Sequence, residues 1–155
     1  MKHHKIESLE THFAFLIDKA NLYIKLARSQ FFKNINLNIT GDQFRALYIL
    51  HHEDGINQRE LAQIMLKDRP NITRLVYSLE KKGLIFRKID SENNRLSKKV
   101  FITEEGKIMV KEILPLIRKT NSEMIAGLTD EQIDTLKTTL KIICNHMEKS
   151  VKLQI

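Results

Sequence analysis

The chain has 155 residues, enough for one domain with additional helices. At 42% hydrophobic and 29% charged residues it can bury a core, which excludes a globally disordered chain. It contains no apolar run of the ~18 residues that would span a bilayer. A formal net charge of +7 and a pI near 9.5 favour a polyanionic partner, and the single cysteine, Cys144, excludes an internal disulfide framework and fits a reducing compartment.

The first residues, Met1-Lys2-His3-His4-Lys5, are basic, but polar residues follow where a secretory signal would need an apolar block. A cytoplasmic protein without membrane contact is expected. A long helix is predicted from about Ser8 to Asn34. Phe13, Ile17, Ala20, Ile24, Ala27 and Phe31 recur at intervals of 4, 3, 4, 3 and 4 residues, and Leu16, Tyr23 and Leu26 widen that seam. Such a helix would be about 39 Å long at ~1.5 Å per residue, more than one small core can cover, so part of the seam is expected to pack on another chain. The Asn-rich stretch 34–38 breaks the pattern.

Thr40 with Gln43 forms a capping-box pattern opening a second helix, whose core face is Phe44, Leu47, Tyr48 and Leu50. His51-His52-Glu53-Asp54-Gly55 ends it. Asn57 with Glu60 opens a third helix bearing Leu61, Ile64 and Met65. The fourth helix begins after Asp68, which can cap it, with Pro70 in the first turn and Gly83 as its left-handed stop. Ile72, Leu75, Val76 and Leu79 form its apolar stripe. The other face carries Arg69, Asn71, Thr73, Arg74, Tyr77 and Ser78, hydrogen-bonding types suited to base edges and phosphates.

A hairpin is expected next, with strands over 84–89 and 98–102 and a polar loop over 90–97. From Lys67 to Lys99 there are ten Lys/Arg against four Asp/Glu, a net of +6 that holds nearly all the excess charge of the chain. An amphipathic helix followed by a basic hairpin is the footprint of a DNA-binding winged helix; the bland alternative is a small α+β domain with a solvated basic face. Thr103 then caps a fifth helix to about Ala126, in which Pro115 should introduce a bend. Thr129 with Gln132 caps the last, where Ile133, Leu136, Leu140, Ile143, Met147 and Val151 make a second seam.

The pieces from Thr40-x-x-Gln43-Phe44 through Leu61-Ala62, Asn71-Ile72-Thr73-Arg74-Leu75-Val76, Leu79-Glu80-Lys81-Lys82-Gly83-Leu84-Ile85-x-Arg87, Asp90, Arg95 and Ile102-Thr103-Glu104-Glu105-Gly106 to Leu128-Thr129 resemble the MarR family of bacterial transcription regulators. The resemblance implies a mainly α fold with a small β-hairpin wing: a winged helix-turn-helix at 40–103, an N-terminal dimerisation helix and linker at 1–39, and C-terminal dimerisation helices at 104–155. It implies a homodimer on pseudo-palindromic double-stranded DNA, commonly as a repressor. A winged-helix module that binds protein without reading DNA is the alternative, and a monomeric helical bundle is the alternative to the dimer.

On this reading Asn71, Thr73 and Arg74 face the major groove, Arg69 and Tyr77 meet phosphates, Arg95 probes the minor groove, and Lys98 and Lys99 hold the backbone. Arg74 could instead bond within its own helix, and Arg87 could brace rather than bind. The wing tip, Asn93-Asn94-Arg95, keeps the arginine of the Asp-Arg-Arg pattern frequent in the family and loses its acid. The family often has a glycine near Leu66; its absence suggests a longer turn built around Lys67-Asp68.

Regulators of this kind are often released by small anionic aromatics, and the resemblance places Tyr23, Phe44, Tyr48 and His51 near such a crevice, although aromatic side chains there are more often plain core. No cofactor and no metal site is indicated. His51 and His52 are adjacent and point about 100° apart on a helix, and no Cys/His spacing of a zinc site occurs. Cys144, in the apolar rhythm of the last helix, reads as buried and inert. No phosphate loop, nucleophile elbow or metal-ligand helix motif suggests an enzyme.

Overall fold

The computed structural model describes residues 11–92 and 95–150, with side chains at 11–89 and 98–150. In chain order the elements are α1 (Phe13–Asn34), α2 (Gly41–His52), β1 (Ile56–Asn57), α3 (Gln58–Met65), α4 (Arg69–Lys81), β2 (Ile85–Glu92), β3 (Arg95–Ile102), α5 (Glu104–Met124) and α6 (Asp130–Ser150). They fall into two compact units, one ending at Phe44 and one beginning at Arg45.

In the first unit, α1 buries one residue, Phe32, whose ring lies 5.8 Å from that of Phe44. Along the expected seam, Phe13, Leu16, Tyr23 and Leu26 are each about half exposed or more, while Ile17, Ile24 and Phe31 are half-buried. The turn after it passes through Asn36 at φ 52, a left-handed position that asparagine tolerates. Thr40 and Gln43 then form the expected reciprocal cap, with the Thr40 N–H donating to Gln43 Oε1 at 3.0 Å and the Gln43 N–H to Thr40 Oγ1 at 3.2 Å.

The core of the second unit is drawn from every winged-helix element. Leu47 and Leu50 of α2, Leu61 and Met65 of α3, Ile72, Val76 and Leu79 of α4, Ile85 and Val100 of the sheet, and Val110 and Ile113 of α5 are all buried. At about 1.5–3 kcal/mol for each fully buried aliphatic side chain, this shared core is what fixes α4 against α3 and the hairpin. The sheet is antiparallel in the order β1-β3-β2. The short β1 pairs Ile56 with Val100 and Asn57 with Lys99. Asp54 ties this edge down, its carboxylate Oδ1 accepting the backbone N–H of Ile102 at 2.9 Å.

Two expectations change here. The polar stretch expected as a loop over 90–97 is mostly ladder: the register continues through Asp90↔Ser97 and Ser91↔Leu96 to Glu92↔Arg95. Backbone pairing propagates along two antiparallel strands whatever their side chains, so polarity was a poor guide to where the strands end. Asn93 and Asn94 lie outside the described residues. The second change concerns the helix-turn-helix bend. It is not lengthened: three residues separate α3 from α4, and Leu66 itself takes the left-handed conformation (φ 53, ψ 49).

A non-glycine residue in that region costs roughly 1–2 kcal/mol. Leu66 is 60% exposed, so it recovers little by burial. Leu66→Gly should therefore stabilise the fold by about 0.5–1 kcal/mol after the added flexibility of the unfolded chain is subtracted. The melting temperature should rise by about 1–4 °C. A lower melting temperature would mean that Leu66 makes a contribution its exposure hides.

α5 carries Pro115 in its interior and ends two residues short of Ala126. α6 has no buried residue. Leu136, Leu140 and Met147, three of its seam positions, are between 39% and 52% exposed. Cys144 is likewise exposed, not buried. The apolar rhythm around it marks a face that is not buried among the described residues.

Candidate nucleic-acid interface

Each helix of the α3–α4 pair is opened by its own N-cap. The Asn57 side chain accepts the N–H groups of Arg59 and Glu60 at 2.9 and 3.0 Å, and Glu60 returns the bond to the Asn57 N–H at 2.9 Å. Three residues beyond α3, Asp68 caps α4 by accepting the Asn71 N–H at 2.8 Å, with Pro70 in the first turn, where a missing N–H costs nothing. With Ile72, Val76 and Leu79 turned into the core, α4 must present its other face outward. Arg69, Asn71, Thr73, Arg74 and Tyr77 are all exposed.

Within that face the side chains are not independent. Asn71 Nδ2 donates to the second Asp68 oxygen at 2.7 Å, and Arg74 Nη2 donates to Asn71 Oδ1 at 2.8 Å. Thr73 reaches Gln58 at the start of α3, at 3.4 Å. Sequence reading missed Gln58, whose partner is 15 residues away, and treated Asp68 only as a cap. On the hairpin, Lys98 is exposed and Lys99 half-buried. The side chain of Arg95 lies outside the described residues, although its backbone pairs with Glu92.

Arg87 is a brace. Its guanidinium makes a forked bond to Glu80, with Nε donating to Oε1 at 3.1 Å and Nη2 donating to Oε2, and so clamps the end of α4 to β2. The bonds from Arg87 hold the Glu80 carboxyl below the usual carboxylate range, despite an opposing contribution from burial. Because the folded-state value is depressed, the stabilisation is present above the unfolded value and is lost as pH falls through the folded one. Both side chains are about 30% exposed, so the pair contributes no more than about 1 kcal/mol. Glu80→Gln should therefore be slightly less stable than the parent in urea at pH 7, with the gap closing near pH 3. An equal gap at both pH values would assign the effect to packing.

The residues expected to line a ligand crevice have different surroundings. Phe44 is buried and packs with Phe32. Tyr23 is 61% exposed. The Tyr48 ring lies edge-on to His52 at 4.7 Å, and His51 beside it has a buried Nδ1 with no hydrogen-bond partner among the described residues. No described group of three or more His, Cys, Asp or Glu residues is placed to hold a metal. No described helix is long and apolar enough to cross a membrane.

Residues 39–97, which include the whole helix-turn-helix and most of the hairpin, match the MarR family profile. The uncharacterised HTH-type transcriptional regulator YybA of Bacillus subtilis (strain 168) is 30% identical over 118 residues, spanning 74% of this chain and 75% of that protein. The chain belongs to the MarR family. It is a transcription regulator of that family rather than an enzyme, and its fold is the MarR winged helix. Two solved structures show the fold match at length. The S. aureus MepR–DNA complex superposes with a TM-score of 0.75 at 24% identity, covering 89% of this chain and 98% of MepR. A MarR transcriptional regulator from Methanosarcina mazei Go1 gives 0.74 at 25% identity, covering 88% of this chain and 96% of that one.

Proposed function

We propose that this MarR regulator binds a pseudo-palindromic DNA operator as a homodimer in the cytoplasm and represses transcription from it. The observation that carries the reading is the outward face of α4. The core forces five groove-compatible side chains into solvent on a capped helix, beside a basic hairpin. A helix of this kind fits the major groove, with the hairpin reaching the neighbouring minor groove. Thr73 and Arg74 face base edges, and Asn71 lies with them. Arg69, Tyr77, Lys98 and Lys99 hold phosphates, and Arg95 enters the minor groove. The uncovered seams of α1 and α6 are the dimerisation surfaces, which makes 1–39 and 104–155 the assembly segments around the reading module at 40–103. A small anionic aromatic effector would be sensed near Tyr48 and His51. The unpartnered Nδ1 there supports that reading, because a buried polar atom left without a bond costs about 1–3 kcal/mol that a ligand could recover.

The test is fluorescence anisotropy with DNA from upstream of the protein's own gene, random DNA as competitor and a salt series. Binding should resist the competitor, saturate at two chains per site, and weaken linearly on log–log axes as salt rises, through release of counterions. Binding no better than to random DNA, or insensitive to salt, would favour a winged-helix module whose partner is a protein.

A further inference from the structure

We propose that Asp68 is a specificity-determining positioning residue that acts through Asn71 to set the pose of Arg74. The inference rests on the DNA-reading proposal above and adds a component that groove-facing residue types alone do not reveal. Asp68, Asn71 and Arg74 are spaced by three residues and form a continuous line of side-chain bonds along the exposed edge of α4. Its chemistry runs in one direction. A carboxylate can only accept and a guanidinium can only donate. The Asn71 amide between them therefore has one satisfied orientation, with Nδ2 toward Asp68 and Oδ1 toward Arg74.

Two consequences follow. Asn71 has one bond at each end of its amide, so an adenine read by Asn71 would have to share both ends with Asp68 and Arg74. Arg74, by contrast, spends one of the five N–H donors of a guanidinium on Asn71 and needs two more for the O6 and N7 acceptors of guanine. A flexible arginine tethered at one corner is held ready for that contact. All three residues are exposed, so their bonds compete with water and do little for the fold. What they do is restrict where one arginine points. Asp68 thus has two roles separable by atom: Oδ1 caps the helix, and Oδ2 orients the Asn71 amide.

The substitution Asp68→Asn separates them. Asparagine caps a helix as well as aspartate does, because its Oδ1 can still accept the Asn71 N–H. Its NH2 group cannot accept from Asn71 Nδ2, so the orienting bond is lost with almost no change of shape. The experiment is selection and sequencing of bound duplexes from a randomised double-stranded DNA pool with the parent, Asp68→Asn, Asn71→Ala and Arg74→Ala, alongside thermal melts of each. In the parent, Arg74 should impose one guanine preference per half-site. Arg74→Ala should erase that preference alone. Asp68→Asn should melt like the parent yet lose roughly three- to tenfold of the preference at that same position, a part of what a bidentate pair supplies. Asn71→Ala should lose it at the same position, and Asp68→Asn should add nothing further in the Asn71→Ala background. Removing a negative charge should meanwhile raise affinity for all sequences alike, which does not alter the ratio.

Asp68→Asn retaining the full preference while Arg74→Ala loses it would overturn the positioning role. An Arg74→Ala motif identical to that of the parent would overturn it too, because Arg74 would then read no base. A parent protein that selects no motif would overturn the DNA-reading proposal itself, and the positioning role with it, a result distinct from the other two.

Discussion

Gly106→Ala should destabilise the protein by about 2–4 kcal/mol, although alanine is the better helix former by about 1 kcal/mol. Gly106 lies in the first turn of α5, buried where that helix meets the end of α4 and the end of β3. A Cβ at this position would stand 2.3 Å from the Leu84 carbonyl oxygen and 2.7 Å from Ile102 Cγ1. The oxygen is backbone and already accepts the Thr103 N–H at 3.1 Å, while the Thr103 hydroxyl donates to the Gly83 carbonyl at 2.8 Å. Moving the oxygen away would loosen the junction that joins the recognition helix, the wing and α5. Steric exclusion by backbone therefore outweighs helix propensity. Against a total stability of about 5–15 kcal/mol the loss is large, and melting should fall by roughly 4–15 °C. Urea unfolding with an unchanged slope would attribute the loss to the native state. A variant as stable as the parent would show that α5 can shift away from Leu84 at no cost.

What sequence reading recovered and what it missed divide by distance along the chain. The caps at Thr40/Gln43, Asn57/Glu60, Asp68/Asn71 and Thr129/Gln132 each join residues three apart, so local spacing contains the whole interaction. The apolar stripe of α4 is periodic within one helix, which is why its outward face could be named in advance. The strand β1 has two residues, and its partners in β3 lie more than 40 positions away, so no local pattern announces it. The Glu80–Arg87 clamp depends on a turn folding back, which spacing alone leaves open. Leu66 shows a different limit: the missing glycine was noticed, but a longer turn was inferred where the chain accepts a strained leucine instead. The site was legible to a similar degree. Residue types marked the face of α4, but the line from Asp68 through Asn71 to Arg74 required coordinates, because hydrogen-bonding side chains three apart on a helix can equally point to solvent. Cys144 was misjudged for a reason that bears on assembly: periodicity reports an apolar face, not what covers it.

On the homodimer proposed above, Leu140→Asp should part the two chains and lower affinity for a two-half-site DNA by roughly 10²–10⁴-fold, the advantage that linking two binding modules supplies. Leu140 lies in the α6 series Leu136, Leu140, Ile143 and Met147, spaced 4, 3 and 4 residues, so one carboxylate falls within the seam. Exposed apolar side chains repeated over a 21-residue helix are costly to leave in water, and a second copy of the same stripe is the cover that two-fold symmetry provides. A carboxylate there would be buried without a partner, which is expensive enough to part the chains. None of the winged-helix core belongs to α6, so amide-exchange protection of α4 and the hairpin should survive, separating loss of assembly from loss of fold. Each monomer should still bind a single half-site weakly, with about half the salt slope of the dimer, because half the phosphate contacts remain. A variant that stays dimeric by light scattering and binds the full site as tightly as the parent would remove the α6 stripe from the dimer interface.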